Sequence, residues 1–348
     1  ENATSGLWEA IEFNGPWGTN GFYLDYSNAA APGTDSSGNT NTWTATGFQT
    51  YCQSQDTPTN NFAQMQQISS NATSVSSRAD IEMGMLGCTI WSGWSRCEST
   101  LHAPKSGQWY AEVHLGPQYS SGNVVHTRYG VLTSQSTYVS EDGYNAAGWY
   151  SGDWTTVTNG VQTNSGDQGS RAWGDILGFL LDEDNNHIYC YKNGVLQPNM
   201  PKNLPVTEMQ YGFGTGSYDK QRFIWNHGQD ATFQGNKSPG TVYADANGYG
   251  KFTYDPTTLP GSPLALCTKN IAAATIEKPQ ANFKLVHYTS TNPGALGTQS
   301  VTGVGFQPDM VWLKNRSSGS TRWTCFDSAR GAGKQMSTSQ SSETESNN

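Results

Sequence analysis

Few side chains in this sequence of 348 residues are spaced for chemistry. Asp182, Asp184 and Asn186 offer the alternating oxygens of a calcium loop. Such a loop needs Gly at its sixth position and Glu at its twelfth, where this chain has His187 and Asn193. A plain hairpin turn is the expected reading. Gly331-Ala332-Gly333-Lys334 is followed by Gln335, not the Ser or Thr of a phosphate loop, and Ser328 stands where that loop needs its first Gly. Glycan cleavage takes two carboxylates facing one another across a cleft, and nothing pairs Glu112 with Glu141-Asp142. The six His are scattered, and His114, His187 and His287 sit in strand-like alternation. No Gly-x-Ser-x-Gly joins a strand to a helix, and no Cys pair has the C-x-x-C spacing of zinc sites. No catalytic residue, metal or cofactor is expected.

The aromatics are more suggestive, with 12 Trp, 17 Tyr and 12 Phe. Trp91, Trp94, Tyr144, Trp149, Tyr150 and Trp154 lie in Gly/Ser-rich, loop-like surroundings. A flat apolar face with a polar tip stacks on sugar rings or anchors a protein interface. Filling the core or covering its ends is the commoner role of such residues. These six are the candidate ligand-binding residues. Cys88 and Cys97 flank Trp91, Gly93 and Trp94 and could close a small loop, although spacing alone does not fix connectivity. Cys190 alternates with aromatics in His187 to Tyr191, as a small buried hydrophobe does.

Positioning these residues is a task for strands. Charged residues make up 14% and hydrophobic residues 34% of the chain, and the helix formers Ala, Leu, Glu and Lys are scarce. The aromatic content excludes a disordered chain, and a net charge of −9 argues against a nucleic-acid surface. No apolar run approaches the ~18 residues of a membrane-spanning helix. Trp109, Ala111, Val113 and Leu115 share one face of a strand, with Tyr110, Glu112 and His114 on the other, the pattern of a half-buried strand. Arg128 to Leu132, the apolar run Ile176 to Leu181, His187 to Tyr191 and Arg222 to Asn226 read as further strands. Asn193-Gly194 is a strong hairpin signal. Gly21 to Tyr26 and Phe283 to Tyr288 also have strand character, and Asp309 to Lys314 follows in a second β unit. With no long 3.6-residue period, two antiparallel sheets packed face to face are expected.

The organisation follows in four parts. Residues 1–80 form an irregular segment packed on a sandwich, 81–267 the sandwich, 268–282 a linker, and 283–348 a partial C-terminal β domain. About 65 residues are few for a complete sandwich, so the last domain is expected to be cut short or completed by another chain. The chain opens Glu1-Asn2-Ala3, with neither an initiator Met nor a signal peptide, and is expected to be a processed or partial product.

Gly107 to Val113, Gly148-Trp149-Tyr150, Trp173 to Asp182 and Ile188 to Gly194, taken in order, resemble a SPRY domain of the concanavalin-like sandwich group. Gly21 to Asp25 followed by Asp56 to Phe62 is similar to a segment of large structural proteins of tailed, notably marine, bacteriophages. Val301 to Asp309, Val311 to Arg316 and Phe326 to Lys334 resemble the repeat domain that follows the SPRY unit in those proteins. The resemblance implies an all-β virion fibre, spike or head-decoration protein, located in the extracellular particle. It would act by binding, with loops such as Ser134 to Tyr150 presenting aromatics and amides. Its expected partners are other virion proteins and a host-surface glycan, not nucleic acid or membrane, and a homo-oligomer is expected by analogy. A pure capsid or tail assembly module and a polysaccharide-degrading fibre enzyme are the alternatives.

Overall fold

The computed structural model describes residues 12–67, 78–92, 95–116, 127–133, 148–152, 155–158, 161–164, 172–198, 200–204, 210–217, 220–272, 278–291, 299–317, 323–331, 333–337 and 346–347. Its chain divides into two units, Asn14–Ala272 and a second made of Ala273–Asn348 with Glu1–Phe13. Both are built from strands. The helical segments among the described residues are short 3₁₀ turns at Thr50–Cys52, Pro256–Thr258 and Pro279–Ala281.

In chain order, the larger unit begins with β1 (Met65–Gln66), β2 (Arg78–Glu82), β3 (Gly87–Ser92), β4 (Ser95–Ser99), β5 (Gln108–Leu115) and β6 (Thr127–Thr133). It continues with β7 (Gly148–Gly152), β8 (Thr155–Thr158), β9 (Val161–Asn164), β10 (Ile176–Asp182) and β11 (His187–Lys192). β12 (Val195–Leu196), β13 (Lys202–Asn203), β14 (Tyr211–Ser217), β15 (Gln221–Asn226) and β16 (Leu264–Ala265) complete it. One sheet runs β1-β4-β14-β6-β7-β8-β9. The other runs β12-β11-β10-β5-β15-β3-β2, with β13 beside β11 and β16 beside β5. All these pairings are antiparallel except β16 with β5. The larger unit is the expected antiparallel β-sandwich.

The apolar face of β5 enters the core between the sheets, where Trp109, Ala111, Val113 and Leu115 meet Tyr129, Val131 and Phe213 of the facing sheet. Trp225 lies at the centre, tilted against Phe179 and Phe213. A disulfide between Cys88 on β3 and Cys97 on β4 ties the two sheets together, so the loop left open by spacing is closed. Asn193 and Gly194, at φ 49° and 80°, form the turn between β11 and β12. This double positive φ is the geometry that Asn-Gly favours in tight hairpins.

Three expectations fail. The second face of β5 is not exposed: Tyr110, Glu112 and His114 are all buried. The chain from His227 to Cys267 returns across this face, packing Phe233 against Ile176 and Ile224, and Phe252 against Tyr110, Leu180 and Tyr191. Gly21 to Tyr26 forms no strand. Side chains take its backbone groups instead: the Tyr23 N–H donates to Asp35, and the Asn39 and Asn41 amides donate to Gly21 O. Phe283 to Tyr288 is likewise no strand and has no ladder among the described residues. In the N-terminal stretch expected to be irregular, β1 joins one sheet and β2 the other.

The second unit holds a four-stranded antiparallel sheet. Its order is β17 (Met310–Leu313), β18 (Thr324–Asp327), β19 (Lys334–Ser337) and β20 (Ser346–Asn347).

Candidate functional site

Of the six candidate aromatics, Trp94, Tyr144 and Trp154 lie outside the described residues, as does the loop from Ser134 to residue 147. Trp149 and Tyr150 are on strand β7 rather than in a loop, opposite Val131 and Gly130 of β6. Trp91 is on β3, again a strand. Aromatic residues suit a pleated sheet, and the Gly and Ser beside them mark strand ends. The structure does not gather the six into one described cluster.

Trp91 nevertheless has the geometry of a surface platform. In the β2–β3 hairpin Asp80 pairs with Thr89 and Ala79 with Ile90, but Arg78 pairs with Ser92. Trp91 is therefore the extra residue of a β-bulge, a device that re-aims a side chain. Its indole N–H donates to Asp80 Oδ2 at 2.7 Å, and Lys220 Nζ lies 3.6 Å from the ring centroid. Hydrogen bonding and cation–π attraction thus fix the ring while it remains 42% exposed. Thr89 and Arg222 stand directly across the strands from Asp80. Arg222 Nε is 2.8 Å from Glu82 Oε1, and Thr89 donates to the same carboxylate. The result is an aromatic ring beside a strip of alternating charge. The alternation of β3 gave no sign of the bulge, since a bulge exists only in the register of two paired strands.

The carboxylate of Glu112 sits elsewhere and is sealed. It accepts from Thr253 N–H (3.0 Å), Tyr254 N–H (2.9 Å), Asn226 Nδ2 (3.3 Å) and the Tyr110 hydroxyl (3.3 Å). Burial outweighs these bonds and pushes its carboxyl up to about 7. The Tyr110 ring owes its place to Gly178, where a Cβ would fall 2.4 Å from the phenol oxygen. Glu112 has four donors and no exposed face, so its work is to clamp the returning chain onto the sheet. His227, stacked on Trp225 and enclosed, is pushed down by burial to about 3. His114, against Phe233, is pushed down by burial, with Lys237 adding to the effect, to about 4. Both are neutral core residues. Arg96 and Glu98 on β4 are also buried: Glu98 Oε1 lies 3.6 Å from His102 Nε2, and Arg96 Nε and Nη1 are enclosed with no hydrogen-bond partner among the described residues. They offer a ligand no surface.

The turn Asp182 to Asn186 is a hairpin connection, with Asp182 accepting from the Asn185 backbone and amide. Among the described residues no three His, Cys, Asp or Glu side chains gather to hold a metal ion.

Residues 278–348 match a family model described as "Domain of unknown function (DUF7483)". No curated protein matches the chain. Among solved structures it is similar to the SPRY domain of human HERC1, at 15% identity and a TM-score of 0.33, covering 42% of this chain and 91% of that one. It is also similar to the TRIM65 PSpry domain, at 13% identity and a TM-score of 0.34, covering 47% and 92%. A human SPRY domain is similar at 13% identity and a TM-score of 0.32, covering 42% and 93%. The class defined by the strands themselves is an all-β protein with an antiparallel β-sandwich and a second, smaller β unit.

Proposed function

We propose that this chain is a non-enzymatic virion component of a tailed bacteriophage, a fibre, spike or decoration protein that binds a host-surface glycan through its sandwich. Trp91 is the observation that carries the binding role: an exposed ring, held in place before any ligand arrives, loses little freedom on binding. The flanking and partly exposed Asp80, Glu82 and Arg222 supply donors and acceptors for hydroxyl groups. The virion setting is supported by the ordered motifs of the sequence, from Gly21 to Asp25 through to Phe326 to Lys334. Glu112 supports binding over turnover, since a carboxylate closed in by Thr253 and Tyr254 cannot reach a sugar.

Trp91→Ala tests this reading, with binding to host-surface polysaccharide measured by calorimetry on the purified chain. Affinity should fall on the order of tenfold, about 1.4 kcal/mol. Unchanged affinity would remove Trp91 from the site. Shortened polysaccharide chains after incubation would favour the enzyme reading.

A further inference from the structure

The charges around Trp91 are answered within the strip itself. Asp80 Oδ2 accepts from the indole N–H at 2.7 Å, and the Lys220 ammonium lies 3.6 Å from the ring centroid. Arg222 forks onto Glu82: its Nε stands 2.8 Å from Oε1, and its Nη2 donates to Oε2 at 3.4 Å. Thr89 donates to Glu82 as well, and its hydroxyl accepts from Arg222 Nε at 3.3 Å. Among the described side chains of the strip, two carboxylates meet two cations, and each of the four has a partner. Paired charges of this kind hold their direction and largely cancel at a distance.

We propose that the ligand of this site is an uncharged saccharide, a hexose unit with hydroxyl groups and one C–H face and with neither carboxylate nor amine. The assignment takes Trp91 as the platform and so rests on the proposed glycan-binding role. A hydroxyl group both donates and accepts. It can bond to the partly exposed Asp80, Glu82 and Arg222 without breaking either pair. With Lys220 in place Trp91 is still 42% exposed, and that surface can stack on the C–H face of a sugar ring.

An acidic unit fares worse. Its carboxylate would stand beside Asp80 and Glu82 as a like charge, and Arg222 would have to leave Glu82 to answer it. The chain's net charge of −9 adds a long-range penalty against any polyanion. An amino sugar meets the mirror problem, with Lys220 and Arg222 as the like charges. The strip thus selects by what it leaves unanswered: a charged ligand gains no new partner and loses its hydration.

The test uses the host-surface polysaccharide of the Trp91→Ala experiment in two forms. One is carboxyl-reduced, so that every uronate becomes a hexose; the other is oxidised, so that primary hydroxyls become carboxylates. In calorimetry on the full wild-type chain the reduced form should bind at least about tenfold more tightly. Its affinity should change by less than about twofold between low salt and ~0.5 M salt. Glu82→Gln removes the carboxylate that answers Arg222, and the preference for the reduced form should shrink by roughly fivefold. Equal or tighter binding of the oxidised form, weakened by Trp91→Ala, overturns the charge class and leaves Trp91 in the site. A preference that Glu82→Gln does not change overturns it too. If neither form binds, or if Trp91→Ala binds both as well as the wild type does, the glycan role of Trp91 fails and this assignment fails with it.

Discussion

Glu112 ties the stability of the sandwich to pH through one buried carboxyl. Its carboxyl ordinarily titrates near 4.5, and burial carries it to about 7. Between those values the folded chain keeps a proton that the unfolded chain releases, so this group lowers stability as pH rises from about 4.5 to 7. His227 and His114 have the opposite sign. Their folded values lie below 6.5, so the unfolded chain takes up protons first, and stability is lost as pH falls from 6.5 towards 3 or 4. Comparing wild type with Glu112→Gln cancels the histidines. The variant should be less stable at pH 4.5, because its amide cannot accept from both Thr253 and Tyr254. The gap should then close by about 3 kcal/mol as pH rises to 7. Urea unfolding across this range reads the gap directly, and a constant gap would mean that Glu112 does not change its charge there. Gly178→Ala probes the same clamp from the other side. Its Cβ would meet the Tyr110 phenol and shift it from Glu112, at a cost of about 1–3 kcal/mol in the same assay.

At the scale of elements, the Cys88–Cys97 disulfide joins β3 to β4 across a sequence separation of only 9. Replacing both cysteines with Ser should cost about 2–3 kcal/mol by the loop-closure relation, measured by denaturant unfolding under non-reducing conditions. Equal stability would show that the sheets hold their places without the bridge. Much of the sandwich is legible in the sequence because its elements carry local signals. The stripe Trp109, Ala111, Val113 and Leu115 reaches the core as read, and Asn193-Gly194 turns as read. The continuous apolar run Ile176 to Leu181 also implied cover on both faces of β10, whereas Glu112 and His114 in the neighbouring β5 argued for solvent on one. The run was the better guide. The cover itself, His227 to Cys267, has no period to read because carboxylate contacts hold it. Asp230 accepts from Thr232 and Gln234, and Asp245 from Asn247, Tyr249 and Ala265. The same substitution of side-chain for ladder bonds misled the reading of Gly21 to Tyr26. Trp91 was legible as a residue and illegible as a position, since its bulge depends on β2.

For the molecule as a whole, the two units differ most in how much apolar surface each buries for itself. The sandwich encloses side chains as large as Trp225, Tyr129 and Phe213 at no measurable exposure or close to it. The smaller unit leaves Trp312, Trp323 and Phe283 in solvent and buries Cys325. Counted over the described residues, that is little burial, and a domain with so small a core is marginal alone. Calorimetry should therefore resolve two transitions. The sandwich should melt at the higher temperature, at a midpoint independent of protein concentration. The C-terminal unit should melt below it, because its described residues bury far less apolar surface. A single transition, or a lower one that belongs to the sandwich, would mean that buried apolar surface does not set the order of melting in this chain.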